Sequence, residues 1–594
     1  MVAPPDDAPR AFLGVERSLG GRTWRERAGD LQLAAALRRA HGLPEIAARL
    51  LAARGVTREG AGVFLKPMLR DLFPDPSSFA DMDLAARAIE DAIASGRRTA
   101  VFADYDVDGG TSAAQLVRYF RARGRELGIY VPDRMSEGYG PSAQAFERLK
   151  AQGYELVITV DCGAAAEGPL NAAADMGLDV IVLDHHLMAG PPPKALAVVN
   201  PNRLDCGSGM GTLTAAGVVL VTLAAVNREA RKRGRNDLPD PREWLDLAAL
   251  GTVCDVAPLT GFNRAIVSQG LKVLRGGKNI GLAALARSAG RPDVGSVYDL
   301  GFILGPRINA GGRIGDSSLA TRLLSTEDPA LAEEIAAQLE DLNAERRKRE
   351  AEMLAEAQAA AEAERSPVVV VGSPRWHPGV IGIAAGRLKD KLLKPVIVLG
   401  GVTPDEPAKG SGRSITGVNL GAAVAAAAKA GVALAGGGHA MAAGLTVEWE
   451  RREALQDFLS EALGAEIAAA EGAARALSID AAASVGALTV ELLDALDAIG
   501  PYGAGHPEPV LALPDVKVSY VNPLKGGEHV RCVLEDARGA RIRAIAWRVG
   551  GAPLGEALLS QRGLLHVACK LKRDAYGGGP PRPEVEILDA ARAA

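Results

Sequence analysis

The sequence predicts a multidomain α/β protein, and three observations carry that reading. At 594 residues the chain is too long to fold around one hydrophobic core. Short β-prone segments alternate with helical ones over residues 99–200 and again over 368–447, the rhythm of parallel sheets flanked by helices. From residue 508 onward, short strands separated by turns replace that rhythm and suggest a small β-barrel.

Taken in order, residues 1–45 are rich in Arg, Gly and Pro and read as an irregular arm. Residues 46–98 read as helices, with a turn at Pro74-Asp75-Pro76-Ser77. The first α/β unit has strands at 99–103, 128–132, 156–160, 179–183 and 195–199. A doubly wound parallel sheet of this kind places its site at the carboxyl ends of the strands. Helical segments follow, including 244–251, and then a Gly-rich run from Gly305 to Arg313 that reads as a loop.

A long helix comes next. Asp328 serves as its N-cap with Pro329 at the first helical position, and Leu331, Ile335, Leu339 and Leu342 recur at helical spacing. Continued to Arg365 it would be on the order of 50 Å long. Its single narrow apolar stripe suits a strut between domains. The second α/β unit ends near Val447, and a helical stretch over 451–472 leads to the barrel. The expected domains are therefore 1–75, 76–327, 328–366, 367–465 and 466–594.

Bulk composition narrows the functional classes. Hydrophobic content of 48% with 24% charged residues describes a globular protein. A net charge of −4 offers no global attraction to nucleic acid, so any such site must be a local basic patch. Five scattered cysteines without a Cys-x-x-Cys pair argue against a disulfide framework or zinc ribbon and for a reducing compartment. The N-terminus lacks a signal-peptide pattern, and the apolar stretch 213–226 is too short to span a bilayer. No membrane association and a cytoplasmic location are expected.

The chemistry concentrates in four acidic motifs. Asp104, Asp106 and Asp108 alternate at the exit of the 99–103 strand. The same spelling opens an EF-hand calcium loop, but that loop needs a preceding helix and a glutamate at its twelfth position, which here is Gln115. Clustered carboxylates repel one another unless a cation neutralises them. Asp161 ends a second apolar strand, Asp184-His185-His186 ends a third, and Asp255 follows the apolar run at 247–254. Four Asp/His tips around one sheet edge supply mixed O and N ligands suited to two Mn²⁺ or Mg²⁺ ions. Two such ions a few ångströms apart activate water and clamp an in-line phosphoryl displacement. The reaction class is therefore metal-assisted hydrolysis of a phosphoester.

Arginines in Gly-rich runs supply the anion-binding signals: Arg134 within 131–140, Arg307, Asn309 and Arg313 within 305–313, and Ser411 and Arg413 within 409–414. Glycine lets the backbone approach a phosphate and arginine grips it bidentately. Gly436-Gly437-Gly438-His439 could add a nest of N–H groups. Taken singly, each of these is better explained by a surface turn with a solvated arginine.

Together these runs resemble the DHH phosphoesterase superfamily, and within it the bacterial RecJ single-strand-specific exonucleases. The resemblance covers nearly the whole chain, including Trp376-His377-Pro378-Gly379-Val380-Ile381-Gly382 and the run from Pro501 to Pro509. It implies a parallel-sheet DHH domain, a connecting helix, a smaller α/β DHHA1 domain and a C-terminal OB-fold barrel. It further implies processive 5′→3′ hydrolysis of single-stranded DNA to 5′-mononucleotides in repair and recombination, with two Mn²⁺ or Mg²⁺ ions. A monomer working with a helicase and a single-strand-binding protein is expected.

Carried over by motif, Asp106, Asp108, Asp161, His185 and Asp255 are the expected metal ligands. Asp104 either ligates or holds an ion-bound water, His186 either ligates or touches the scissile phosphate, and Asp184 orients an imidazole. Arg134, Arg307, Asn309, Arg313, Ser411 and Arg413 are expected on the DNA backbone or terminal 5′-phosphate, with His439 facing the metals. Gly110 and the Leu187-Met188-Ala189 run after His186 depart from the family pattern, and Gly110 is expected to loosen the metal loop. The barrel has few aromatics, mainly Tyr520, Trp547 and Tyr576, so its Lys517, Lys525, Arg531, Arg541, Arg543, Lys570, Lys572 and Arg573 are expected to bind backbone in a salt-sensitive way. Two rivals fit less well: a phosphodiesterase for very short oligonucleotides or cyclic dinucleotides lacks the barrel, and a non-catalytic DHH scaffold has no need of every ligand position.

Overall fold

The computed structural model describes residues 11–134, 136–401, 403, 406–574 and 582–593. Two compact units emerge, one made of Lys66–Lys348 with Pro501–Pro507, the other of the remaining described residues.

The first unit is built on a five-stranded parallel sheet whose spatial order is 128–130, 99–103, 156–160, 179–183, 197–199. In chain order that is 2-1-3-4-5. The direction of winding reverses beside Thr99–Ala103, so a crevice opens between its carboxyl end and that of Leu156–Val160. Both strands are buried along their whole length, hence their continuous apolar spelling. Alternation still sorts their side chains. Val101 and Ala103 enter one core with Ile158 and Leu183, while Ala100 and Phe102 enter another with Val157 and Val182.

The second unit holds three sheets. A mixed five-stranded sheet contains Val369–Ser373, Val396–Gly400, Ala408–Arg413, Ala435–His439 and Ala442–Val447. The barrel is closed by five strands, because Leu511–Leu524 pairs both with His529–Glu535 and with Leu564–Asp574. A short parallel pair joins Thr23–Glu26 to Ala476–Ile479. The long helix runs Pro329–Ala363, and Asp328 accepts from the Ala330 amide at 2.9 Å as its cap. Its buried stripe passes from Ile335 and Leu339 in one core to Met353 and Ala357 in another.

Several expectations are corrected. The 1–45 arm is not irregular where described: it holds the Thr23–Glu26 strand and the Leu31–His41 helix, ordered by a partner strand some 450 residues away that no local signal reveals. The run from Gly305 to Arg313 is a helix, Gly305–Ile314, not a loop. The Lys409–Ser414 run and Gly436–His439 are mostly strand rather than phosphate-cradling loops. Their glycines make room: a Cβ on Gly410 would sit 2.7 Å from Leu445 Cγ. Gly110 is buried in the Val107–Ala122 helix, where a Cβ would lie 3.2 Å from Ala320, so it serves close packing and does not loosen the loop. Tyr576 lies outside the described residues.

Candidate metal centre

Each acidic group reaches the crevice by a different local device. Asp104 follows the Thr99–Ala103 strand directly and is buried. Two residues on, Asp106 caps the Val107–Ala122 helix and accepts from the amides of Asp108 at 2.9 Å and Gly109 at 3.2 Å. Asp108, in the first turn of that helix, accepts from Ala215 at 2.7 Å and Ala216 at 3.0 Å, the first amides of the Ala215–Lys232 helix. Glycine is required at two neighbours. A Cβ on Gly109 would meet Asp104 O at 2.3 Å, and one on Gly251 would meet Asp108 Oδ1 at 2.6 Å.

Asp161 leaves the Leu156–Val160 strand with φ +60°, in the left-handed region, and its Oδ1 stands 3.1 Å from His185 Nε2. Asp184 is a hub. Its Oδ1 accepts from the His185 amide at 2.7 Å and pairs with His186 Nδ1 at 2.7 Å, while Oδ2 accepts from Ala164 at 2.9 Å. Asn202 and Asn200 donate to the carbonyls of His185 at 2.6 Å and His186 at 2.9 Å, fixing the turn from behind. Asp255 does not come from the sheet edge, as expected; it follows the Leu245–Cys254 helix.

Three sets of ligand atoms lie within 4.8 Å of one another: Asp104, Asp106 and Asp161; Asp108, His185 and Asp255; and Asp161, Asp184, His185 and His186. Asp161 and His185 each belong to two sets. His185 Nε2 stands 3.1 Å from Asp161 Oδ1, 3.7 Å from Asp108 Oδ2 and 3.8 Å from Asp255 Oδ2. A cavity of about 290 Å³ opens onto them, lined also by Tyr105, Arg134, Tyr139, Asn309 and Arg313. The Arg134 guanidinium sits 5.2 Å above the Tyr105 ring, and Arg134 and Arg313 line the same cavity as Asp104, Asp106, Asp161 and Asp255.

The electrostatics fit a cation. Burial, then the neighbouring carboxylates, raises Asp104, Asp108 and Asp161 well above the ordinary range and pushes Asp255 up to about 7. Asp104 Oδ1 is buried with no hydrogen-bond partner among the described residues. Burial and the neighbouring His186 lower His185 to about 4, which keeps its imidazole neutral and able to ligate. Burial opposes protonation of His186, but the Asp184 hydrogen bond overrides it and lifts His186 to about 9. Burial would raise Asp184 too, yet the same bond holds it low. Burial pushes the Cys254 thiol up, which removes it as a nucleophile.

Among the other expected substrate residues, Asn309 and Arg313 line the cavity. Arg307 does not: it is buried, pairs with Glu340 and donates to Ile303 O at 2.7 Å. Ser411 and Arg413 share one face of the mixed sheet, with Arg413 Nη1 3.2 Å from Ser411 Oγ. His439 pairs across the hairpin with Ala442, which pairs in turn with Arg413, so the three form one row. Tyr139 was not singled out by the sequence. It donates to Asp161 O at 3.1 Å and lies 3.3 Å from His186 Nε2, and only its place in the Gly138-Tyr139-Gly140 run could have flagged it.

Comparison with known proteins agrees with this architecture. The DHH family N-terminal domain matches residues 98–252, the DHHA1 domain 365–465 and the RecJ OB domain 479–587. The chain is 36% identical over 517 residues to the single-stranded-DNA-specific exonuclease RecJ of Dickeya dadantii, covering 84% of this chain and 88% of that protein. Against the Escherichia coli RecJ it is 34% identical, covering 86% and 88%. It is 35% identical to the Bacillus subtilis RecJ over 83% of this chain but spans only 61% of that longer relative. The crystal structure of Thermus thermophilus RecJ in complex with Mn²⁺ superposes with a TM-score of 0.78 at 30% identity, covering 96% of this chain and 79% of that one. Its complex with Mg²⁺ gives 0.74 at 28% identity, covering 96% and 78%. The chain belongs to the RecJ family of single-stranded-DNA-specific exonucleases.

Proposed function

We propose that this protein is a divalent-metal-dependent exonuclease that degrades single-stranded DNA from its 5′ end to 5′-mononucleotides, in DNA repair and recombination. The observation that carries the reading is the chain of three ligand sets at the sheet crevice, joined to one another through Asp161 and His185. Asp106, Asp108, Asp161, His185 and Asp255 would hold two Mn²⁺ or Mg²⁺ ions. When bound, the ions supply an activated water and charge neutralisation for in-line displacement at phosphorus.

The chain's own groups do the rest. Asp184 fixes the His186 imidazole and the backbone amide of His185, and His186 is held at the cavity wall where it can donate to a non-bridging phosphate oxygen. Arg134, Asn309 and Arg313 line the same cavity and grip the phosphate backbone. Asp104, with one oxygen unpartnered, takes an ion or an ion-bound water. Ser411 and Arg413 are assigned to the strand or its terminal 5′-phosphate, and His439 to the reacting centre. A helicase that supplies single strands and a single-strand-binding protein are its proposed partners, and it acts as a monomer.

One digestion series tests the reading. The protein is titrated with Mn²⁺ and Mg²⁺ on single strands labelled at the 5′ or the 3′ end and on blunt duplex. Immediate release of the 5′ label as a mononucleotide, with a shortening ladder from the 3′-labelled strand and slow duplex attack, is expected. The reverse pattern, or equal rates on a dinucleotide and a long strand, overturns polarity or substrate.

A further inference from the structure

The helix that carries Asn309 and Arg313 into the cavity begins well before them. Residues 297–314 form one helical rod, and Asp299–Leu304, near its start, is wound as a π-helix. π-Turns are uncommon and cluster at functional sites, because the widened turn re-aims side chains. Here the carbonyl of Ile303 in that turn is taken by Arg307. This explains why the arginine of the Gly-rich run points inward.

The rod is seated on the metal site at both ends. Near its start, Cys254 Sγ lies 3.5 Å from Leu300 O, and a Cβ on Gly301 would meet Val253, two residues before Asp255, at 3.4 Å. Near its end, a Cβ on Gly312 would meet Tyr105 O at 2.5 Å, within the aspartate loop. One side of the rod stays open to solvent. Tyr298, Phe302, Pro306, Asn309 and Arg313 lie along it at helical spacing, and none of them is buried. At its far end Tyr298 is 57% exposed and Phe302 68% exposed. Their rings stack with centroids 5.2 Å apart and planes 21° from parallel. Two large rings stacked on each other and still open to solvent form an apolar patch with flat faces to offer.

We propose that Tyr298 and Phe302 are a base-stacking platform for the single strand, a few nucleotides downstream of the end held at the metal site. This rests on the exonuclease reading above and adds to it where the rest of the substrate runs. Continuity along one helix side argues for a strand as the occupant, since the stripe that begins with Arg313 and Asn309 in the cavity leads without a break to the rings. From residue 302 to 313 the helix rises about 16 Å at 1.5 Å per residue. With a rise of about 3.4 Å per stacked nucleotide, the platform lies roughly five steps beyond the cavity and serves about the fifth or sixth nucleotide. Aromatic faces accept any base, so the device adds affinity without sequence preference.

The test measures strand binding without turnover, so it stands or falls apart from the catalytic reading. A fluorescent 5′-phosphorylated 12-mer is titrated with the full chain in chelator, read by anisotropy, for wild type, Phe302→Ala, Tyr298→Ala and Phe302→Trp. Each alanine variant should weaken binding about tenfold, and Phe302→Trp should restore it. Strands abasic at nucleotides five and six should bind wild type about tenfold more weakly and lose nothing further in Phe302→Ala. Wild-type binding by the alanine variants, or independent losses from base removal and from Phe302→Ala, overturns the platform. Should an alanine variant melt early, Phe302→Leu, which keeps the apolar bulk and removes the ring face, gives the same readings.

Discussion

In the crevice of the 66–348 unit, carboxylates crowd together and their repulsion is left to be relieved by something outside the chain. On the barrel, charge of the opposite sign is already answered from within. Of the eight barrel cations expected to meet DNA, six have carboxylate partners: Arg531 with Glu584, Arg541 with Glu535, Arg543 with Asp574, Lys570 and Lys572 with Glu508, and Arg573 with Asp494 and Asp497. The same residue types thus signal a ligand in one place and surface architecture in the other. What separates them is whether the protein supplies the counter-charge.

That contrast can be broken most forcefully at the crevice. Asp106→Ala should lower metal-dependent hydrolysis by at least about a thousandfold, because neutralisation by two ions is worth several kcal/mol at the transition state. Strand binding should persist, since Arg134 and Arg313 remain; retained turnover would sink the metal assignment. Asp184→Ala tests the orienting layer behind the ligands. It should weaken Mn²⁺ affinity, measured by calorimetry, about 10- to 100-fold, with Asp184→Asn recovering part of the loss. An unchanged isotherm would mean the imidazoles hold themselves.

A third region sharpens the comparison, because there a carboxylate is buried without an ion pair among the described residues. Asp246 is 3% exposed, accepts from the Leu247 amide, and burial pushes it up to about 6. The folded value lies above the unfolded one, so the folded chain binds the extra proton and stability falls as pH rises from about 4 to 6. Asp246→Asn should therefore stabilise by about 2–3 kcal/mol at pH 8 and by almost nothing below pH 4. A gain that does not vary with pH in denaturant titrations would refute that cause. The smallest effect belongs to the barrel. Arg541→Ala should cost less than about 1 kcal/mol, as exposed pairs do, and should leave the salt dependence of strand binding unaltered. A drop of one in the log–log salt slope would return Arg541 to the DNA interface.

Much of the site was legible because its signals are local. An apolar strand that stops at an aspartate, as at Asp104, Asp161 and Asp184, declares both the element and the exit within a few residues. Asp255 was legible as a ligand type and a helix was expected over 244–251, but its continuation to Cys254, which puts Asp255 at the helix end, was not, since the apolar run at 247–254 has no period that fixes where the element stops. The Gly-rich runs misled for a physical reason: glycine at Gly410 and Gly412 is there for the packing of Leu445, Leu399 and Leu420, a tertiary demand that propensity cannot express. Tyr139 and the amides of Ala215 and Ala216 act through positions far along the chain, and the barrel's ion pairs join strands whose register no single segment reveals.

One detail of the aspartate loop bears on how the site is filled. Asp106, Asp108 and Asp184 each spend lone pairs on backbone amides, so their carboxylates are held by the fold itself. The cage stands before any ion arrives, and the carboxyls whose proton affinity burial raises, Asp104, Asp108, Asp161 and Asp255, can keep protons in the ions' place. Loading is then a local exchange of protons for ions, paced by ligand and water exchange and not by refolding. One ion can replace another in a chain that never lets go of its shape.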